Sequence, residues 1–499
     1  MVSNTKYDVI ISYISIFITI IVTFFLTKFQ VKYLGRDMFG VLGLVNSTIG
    51  YISIMEMGIG QTVIKYLTHY KSVKDSDNMS KLIGHSLKAY LKIALVGLIA
   101  GGIVVLNSKN IFCSLDNNNR IFDICFILAL INVLLQIPAT TFYSVLSAYK
   151  EFKFLKIINI IRTIFRFILI TILLINGFSI VSIFVVNLVL MQISNIIIYI
   201  YAKLNLNMKI SFKPIDKDIR DELSKYSFFV FLFLITDQIF WKTDSILLGI
   251  ISTTSIVAIY SISGQIIMQF RQLSSTFSSV FLPKIVEELN NENGKEKVNK
   301  FYIDASKYQY ILIMMIFITY FCVGKEFIYL WVGGEYLDAY YYSLVILIST
   351  LIPMSQTTSY QILYALSKHK IRSIVFFICA VINLILSIIL FKIFGAFGVA
   401  LATAIAMIIS DNIFINIYYK HIMGLKFNEL FKKAFLTTTI VGFITWAWYC
   451  LLNSFISFYS WRNFILKCFI GSLVYLLLIF FLVLNKEERF FIKNKIKRG

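Results

Sequence analysis

Residues 154–203 read FLKIINIIRTIFRFILITILLINGFSIVSIFVVNLVLMQISNIIIYIYAK. Two apolar runs, 154–175 and 179–202, stand almost end to end. A helix rises 1.5 Å per residue, so about 20 residues cross the hydrocarbon core of a bilayer. No water in that core satisfies the backbone, and runs of this length solve the problem as helices. The same pattern continues in both directions. Candidate spans lie at 9–28, 39–64, 87–106, 121–143, 154–175, 179–202, 226–248, 255–280, 307–327, 341–366, 372–393, 397–419, 432–452 and 463–484.

The basic residues test this reading. With the N-terminus inside, the inner segments carry 33 of the 47 Lys and Arg, the outer segments 8 and the spans 6. Basic residues concentrate in cytoplasmic loops, and one helix more or fewer would scramble the alternation. The expectation is an all-α polytopic membrane protein with 14 transmembrane helices and both termini cytoplasmic. The N-terminus reads as a retained first span, since no small-residue cleavage site follows it.

Composition agrees. The 499 residues are 58% hydrophobic and 15% charged, about half the charge that a soluble surface carries. That excludes a soluble globular enzyme, and the end-to-end pattern excludes a single anchor with a soluble head. The net charge of +21 sits in short clusters between apolar runs, so no nucleic-acid partner is expected. Cys113, Cys125, Cys322, Cys379, Cys450 and Cys468 form no CxxC pair and read as small apolar packers. The four histidines fall in or beside basic loops, so no metal site is expected.

The chain also repeats itself. At a shift of 217, Thr140, Thr141 and Tyr143 match Thr357, Thr358 and Tyr360, and Asn195, Tyr201 and Lys203 match Asn412, Tyr418 and Lys420. At a shift of 214, Leu34-Gly35 matches Leu248-Gly249 and Lys28 matches Lys242. Six helices separate the copies, so both have one orientation: two parallel six-helix lobes, able to rock about a cleft. The expected organisation is an N-terminal lobe at 1–203, a cytoplasmic interlobe loop at 204–225, a C-terminal lobe at 226–420, and two extra helices with a basic tail at 421–499.

Ionisable groups inside spans are costly, about 2.5–3.5 kcal/mol each on insertion scales, and face protein or water. Arg162 and Arg166 are four apart and share a helix face. Arg166 lies roughly 18 Å from the cytoplasmic end of its span and Arg271 roughly 14 Å. With Lys242 and Lys28 they compose a candidate cationic cavity. Arginine suits it because the planar guanidinium pairs phosphate or carboxylate through two bonds. The alternative is that each arginine is locked to a carboxylate or a helix-end carbonyl for structure. Glu56, Asp237 and Asp411 are candidate coupling acids or simple partners for those bases. Pro138 and Pro353 are expected to kink the fourth and tenth spans. Met57-Gly58-Ile59-Gly60 is expected to allow close helix packing.

Three stretches carry a family resemblance. Lys32-Tyr33-Leu34-Gly35, Phe39-Gly40 and Glu56-Met57-Gly58-Ile59-Gly60 resemble the opening of the bacterial polysaccharide transporters. Trp241-Lys242-Thr243-Asp244, Leu248-Gly249, Ala258-Ile259-Tyr260-Ser261 and Pro283 fit the same pattern, as does Gly395-Ala396-Phe397-Gly398-Val399-Ala400. These are the O-antigen and capsule flippases of the multidrug/oligosaccharidyl-lipid/polysaccharide exporter superfamily, whose fold is MATE-like. The resemblance implies a flippase moving a polyprenyl-pyrophosphate-linked oligosaccharide across the bacterial plasma membrane by alternating access. It implies no enzymatic activity and no cofactor beyond coupling to H+ or Na+. Expected partners are the lipid-linked oligosaccharide, membrane lipids, and a polysaccharide polymerase with glycosyltransferases. The family supplies no fixed catalytic constellation, so no catalytic residue is carried over. A cation-coupled drug exporter, a lipid II or teichoic-acid flippase and a membrane glycosyltransferase are the alternatives. The first usually places acids in the first helix, and span 9–28 has none. The last needs a large outer loop or a paired-acid site, and the outer loops here are short.

Overall fold

The computed structural model describes residues 3–56, 59–279, 294–365, 369–421, 423–456, 459–490 and 494. Met57, Gly58 and Pro283 therefore lie outside the described residues. Those described are overwhelmingly helical, without a strand. Eleven helices among them are long and apolar enough to cross a membrane.

The chain forms two compact units, residues 1–261 and 262–499. Unit one opens with α1, Ser3–Ser53, which is two helices joined at Gly35. There φ is 72°, a left-handed conformation that glycine adopts without Cβ strain, which accounts for the Leu34-Gly35 motif. Within the second expected span α1 gives way to a 3-10 turn at Ile54–Glu56, and α2 covers Ile59–Ser72. Helix α3, Ser76–Ile111, starts at an Asp75 cap that accepts from the Asn78 N–H at 3.0 Å and its side-chain amide at 2.7 Å. These bonds to the anion hold the Asp75 carboxyl below its ordinary value, the backbone bond contributing most. Then come α4, Asn119–Ala148, α5, Phe152–Ile175, α6, Val181–Leu204, and α7, Lys217–Ile251. Helix α4 continues through Pro138 without a break. Val63, Leu67, Leu82, Val145, Leu146 and Ile198 bring α2, α3, α4 and α6 into one buried core. Helix α1 packs along α5 and also meets α4 and α7.

Helix α8, Thr254–Ser279, crosses the division between the units. Neither α7 nor α8 is among the eleven strongly apolar helices. The polar load explains this: Asp237, Lys242 and Asp244 on α7, and Gln265, Gln269, Arg271 and Gln272 on α8.

Unit two contains α9, Gly294–Val332, α10, Asp338–Ser355, α11, Thr357–Ala365, and α12, His369–Phe394. The tenth span runs through Pro353 and turns at Gln356, whose N–H bonds the Pro353 carbonyl at 3.1 Å. After the turn at Gly395, with φ 60°, come α13, Ala396–Met407, a π-helical stretch Ile408–Phe414, and α14, Ile415–His421. A Cβ at Gly398 would overlap the Leu390 carbonyl, so the glycine lets α12 and α13 close into a tight hairpin. Helix α15, Phe427–Leu430, a second π stretch Phe431–Leu436 and α16, Thr437–Phe455, make one continuous rod, followed by α17, Trp461–Leu482.

Helices α16 and α17 are fastened along α9. The Tyr449 hydroxyl donates to Thr319 at 3.2 Å and Tyr475 to the Ile311 carbonyl at 2.9 Å. The Lys467 ammonium meets Glu326 at 2.8 Å, with the two side chains only 3% and 4% exposed. Beyond α17, Glu488 accepts two bonds from Lys307, at 2.8 and 2.9 Å, and one from Tyr308 at 2.7 Å.

Candidate functional site

Helix α5 has two faces. Ile157, Ile161, Phe165, Ile168, Ile172 and Ile175 are exposed. At about 100° per residue they fall within about 40° of one line along the helix. This is the apolar stripe of a lipid-facing helix. Arg162 lies about 100° round from it, Arg166 about 140° and Asn159 about 160°. Leu169, also exposed, lies about 80° round, so the apolar side extends to the edge of the polar one at Arg162.

On that side Arg162 donates to the Asn159 carbonyl oxygen at 2.6 Å and contacts the Met191 sulfur on α6. Arg166 is exposed. Among the described residues no hydrogen bond and no carboxylate holds it, and its electrostatic neighbour is the like-charged Arg162. Two cations one turn apart repel by a few tenths of a kcal/mol. Carboxamides lie at the same level: Gln192 on α6 donates to Asn132 on α4 at 3.0 Å, and Asn195 donates to Gln192 at 3.2 Å.

The other expected site residues of unit one are dispersed along α1 and α7. Lys28, Asp237 and Lys242 are half-buried and each is engaged with a neighbouring group. Asp244, beside Lys242, accepts from the Tyr260 hydroxyl at 2.5 Å. Glu56 accepts weakly from Tyr90 at 3.5 Å and faces Gly60, where a Cβ would stand 3.0 Å from the carboxylate. Ser144 on α4 donates to the Gly60 carbonyl at 3.3 Å, so the glycine serves close packing.

In unit two Asp411 is buried within the π stretch, 7% exposed. Arg372 lies 4.0 Å from it, and Arg271 is within electrostatic reach. The Arg372 guanidinium stacks over Tyr360 at 3.5 Å, with Phe376 at 4.8 Å. One carboxylate thus stands near two arginines. Arg271 and Asp411 thus each neighbour an opposite charge. Arg372 was missed from sequence because it opens the eleventh span and counted with the basic loop. The signal was Asp411 itself, an acid in an apolar run that needs a base. Among the described residues no cluster of His, Cys, Asp and Glu could hold a metal ion.

Long apolar helices in this order, carrying arginines within their spans, define a polytopic membrane protein with the fold of lipid flippases and drug exporters. The fold matches the structure titled lipid II flippase MurJ, inward closed conformation, with a TM-score of 0.74 at 18% identity, covering 95% of this chain and 98% of that one. It also matches an inward-facing multidrug resistance MATE family transporter of the MOP superfamily, with a TM-score of 0.66 at 15% identity, over 81% and 94%. The uncharacterized membrane protein EpsK of Bacillus subtilis (strain 168) is 20% identical over 486 residues, 94% of each chain. The polysaccharide biosynthesis protein family matches residues 32–341, and the chain belongs to that family.

Proposed function

We propose that the protein is a flippase that carries a polyprenyl-pyrophosphate-linked oligosaccharide, an O-antigen or capsule repeat unit, across the bacterial plasma membrane. Arg166 is the observation that supports this most. It is an exposed cation near mid-span, on the polar side of α5, with no carboxylate beside it among the described residues. A diphosphate headgroup supplies the missing charge, and a cationic drug does not. Arg162, Arg271, Lys242 and Lys28 complete the proposed cationic surface. Glu56, Asp237 and Asp411 are proposed as coupling acids for H+ or Na+. Both termini are cytoplasmic in this proposal, the helices number 14, and the lobes at 1–203 and 226–420 rock about the interlobe loop. A polymerase and glycosyltransferases would act before and after the transfer. The likeness to MurJ favours one neighbouring reading, a lipid II-type cargo, which presents the same diphosphate.

The test is surface glycan measured together with membrane protein level. Arg166→Ala is expected to reduce export with protein level unchanged. Arg166→Lys recovers part, because an ammonium keeps the charge but loses the two-bond geometry. Normal export by Arg166→Ala would eliminate the anionic-headgroup role.

A further inference from the structure

The first half of α3 and the segment that joins α6 to α7 make one amphiphilic surface within unit one. His85, Lys88 and Lys92, then Leu95, Ile99 and Ile103, fall within about 40° of one line along α3. The three bases come first. The apolar residues follow toward the membrane centre and are 60%, 59% and 56% exposed. Their stretch is roughly 12 Å long, most of one leaflet's share of a hydrocarbon core about 30 Å thick. Lys92 is exposed, and its long stem lets the ammonium reach back to the interface.

Residues 205–216 run beside this line. The Ser211 N–H donates to the Ser80 carbonyl at 3.0 Å, and a Cβ at Gly84 would overlap the Ser211 carbonyl. Lys88 donates to the Phe212 carbonyl at 2.9 Å and lies over the Phe212 ring at 5.2 Å. Met208 and Ile215 pack on the buried core toward either end of the segment. Between them Ile210 and Phe212 are 37% and 57% exposed, flanked by the exposed Lys209 and Lys213. Apolar side chains between lysines suit the boundary of headgroups and chains.

The charges call for an anion. The nearby acids attend Lys81, which meets Asp77 at 2.5 Å and feels Asp216. One turn on, the charges that reach His85 among the described residues are Arg220, Lys92 and Lys88, all of them cations. Cytoplasmic loops collect bases in general. A general excess does not align them at the head of an apolar strip or bond one of them to a loop carbonyl. Lys88 uses one of its three N–H donors on Phe212, and two remain.

We propose that this surface binds one anionic phospholipid of the inner leaflet. Its phosphodiester sits on Lys88 and Lys92, beside His85 and Arg220, and an acyl chain lies along Leu95, Ile99 and Ile103. Headgroup and loop then share the Lys88 ammonium, so the lipid helps fasten the α6–α7 segment to α3. The leaflet follows from the orientation of the termini proposed above; the binding needs neither that orientation nor a cargo.

The test uses the purified full chain in a nonionic detergent, with the first bound lipid measured by native mass spectrometry. Phosphatidylglycerol should bind about 25-fold more tightly than phosphatidylethanolamine with the same chains, about fivefold for each of the two lysines, the factor for about 1 kcal/mol. Lys88→Met and Lys92→Met keep the stems and should each lower this preference about fivefold. Lys71→Met is the control and should leave it unchanged, since that base lies over the Tyr149 ring at 3.9 Å. Glycerol 3-phosphate, which lacks the chains, should not displace the lipid at equal concentration. Equal binding of the two lipids by the parent, or a full preference in both methionine variants, overturns the site. So does an equal loss in Lys71→Met, which would mean attraction to the overall positive charge. Displacement by glycerol 3-phosphate would mean a free-phosphate site and overturns the lipid. If Lys88→Met fails to accumulate, Lys92→Met decides alone. No glycan is present in this assay, so a failed export test leaves its result standing.

Discussion

The Lys467–Glu326 pair between α17 and α9 allows a prediction with a magnitude. At 2.8 Å and an effective dielectric of 20, the attraction is about 6 kcal/mol, most of it offset by the cost of taking both ions out of water. Lys467→Met removes the attraction but leaves Glu326 dehydrated. Its second oxygen already lacks a hydrogen-bond partner among the described residues, so it cannot re-pair locally. The expected loss is about 3–5 kcal/mol, a large share of the 5–15 kcal/mol that separates folded from unfolded proteins. Adding Glu326→Met removes the stranded charge and should return stability to within about 1 kcal/mol of the parent, a recovery of about 2–4 kcal/mol over Lys467→Met alone. The assay is unfolding of the four purified proteins in one detergent, followed by tryptophan fluorescence and by membrane abundance. A single variant that loses under about 1 kcal/mol would refute the reasoning, as would a double variant no better than the singles.

Four further outcomes are expected. Cysteines at Lys74, Lys213 and Lys295 should be shielded from an impermeant reagent in intact cells, and those at Asn117 and Gly334 labelled; labelling at Lys213 would break the fourteen-helix topology at its centre. Cross-linking positions 28 and 242 should arrest glycan export, and transport at the normal rate by the cross-linked protein would sink the rocking lobes. Arg372→Ala should destabilise unit two by about 3 kcal/mol by leaving Asp411 with less compensation, and Arg372→Ala/Asp411→Asn should recover most of it, read by thermal unfolding in detergent. Burial pushes the Glu488 carboxyl up, but bonds from Lys307, the Asn485 N–H and Tyr308 outweigh it and hold the group below its ordinary 4.5. The tail's attachment should therefore be full at neutral pH and fade as pH falls below about 4.5, measured as protease sensitivity of the segment after Leu482; Glu488→Gln should remove the dependence.

The apolar runs were legible because lipid imposes one solution on the backbone, and the break at Gly35 was marked by its motif. The site was only partly legible. Spacing placed Arg162 and Arg166 on one face, and the structure adds that this face opposes the exposed isoleucines. Arg271 looked the same as Arg166 in sequence, a deep base without an adjacent acid. The difference lies 140 residues downstream at Asp411, a distance that no periodicity spans. Asn132 and Asn159 passed unnoticed because single carboxamides inside apolar runs have no repeating spacing. The π stretch at Ile408–Phe414, which holds Asp411, leaves no mark in residue type either, since it follows from how α12 and α10 pack around it.

The fastening of α9 has a consequence for how the chain is made. Glu326 waits 141 residues for Lys467, and Lys307 waits 181 for Glu488. At 5–20 residues per second, synthesis takes roughly 7–30 s to deliver the first partner. Through that interval α9 is held at the membrane with an uncompensated carboxylate, and a chain truncated before α17 keeps it permanently. The fastening of α9 to α17 thus forms only after nearly the whole chain has been made.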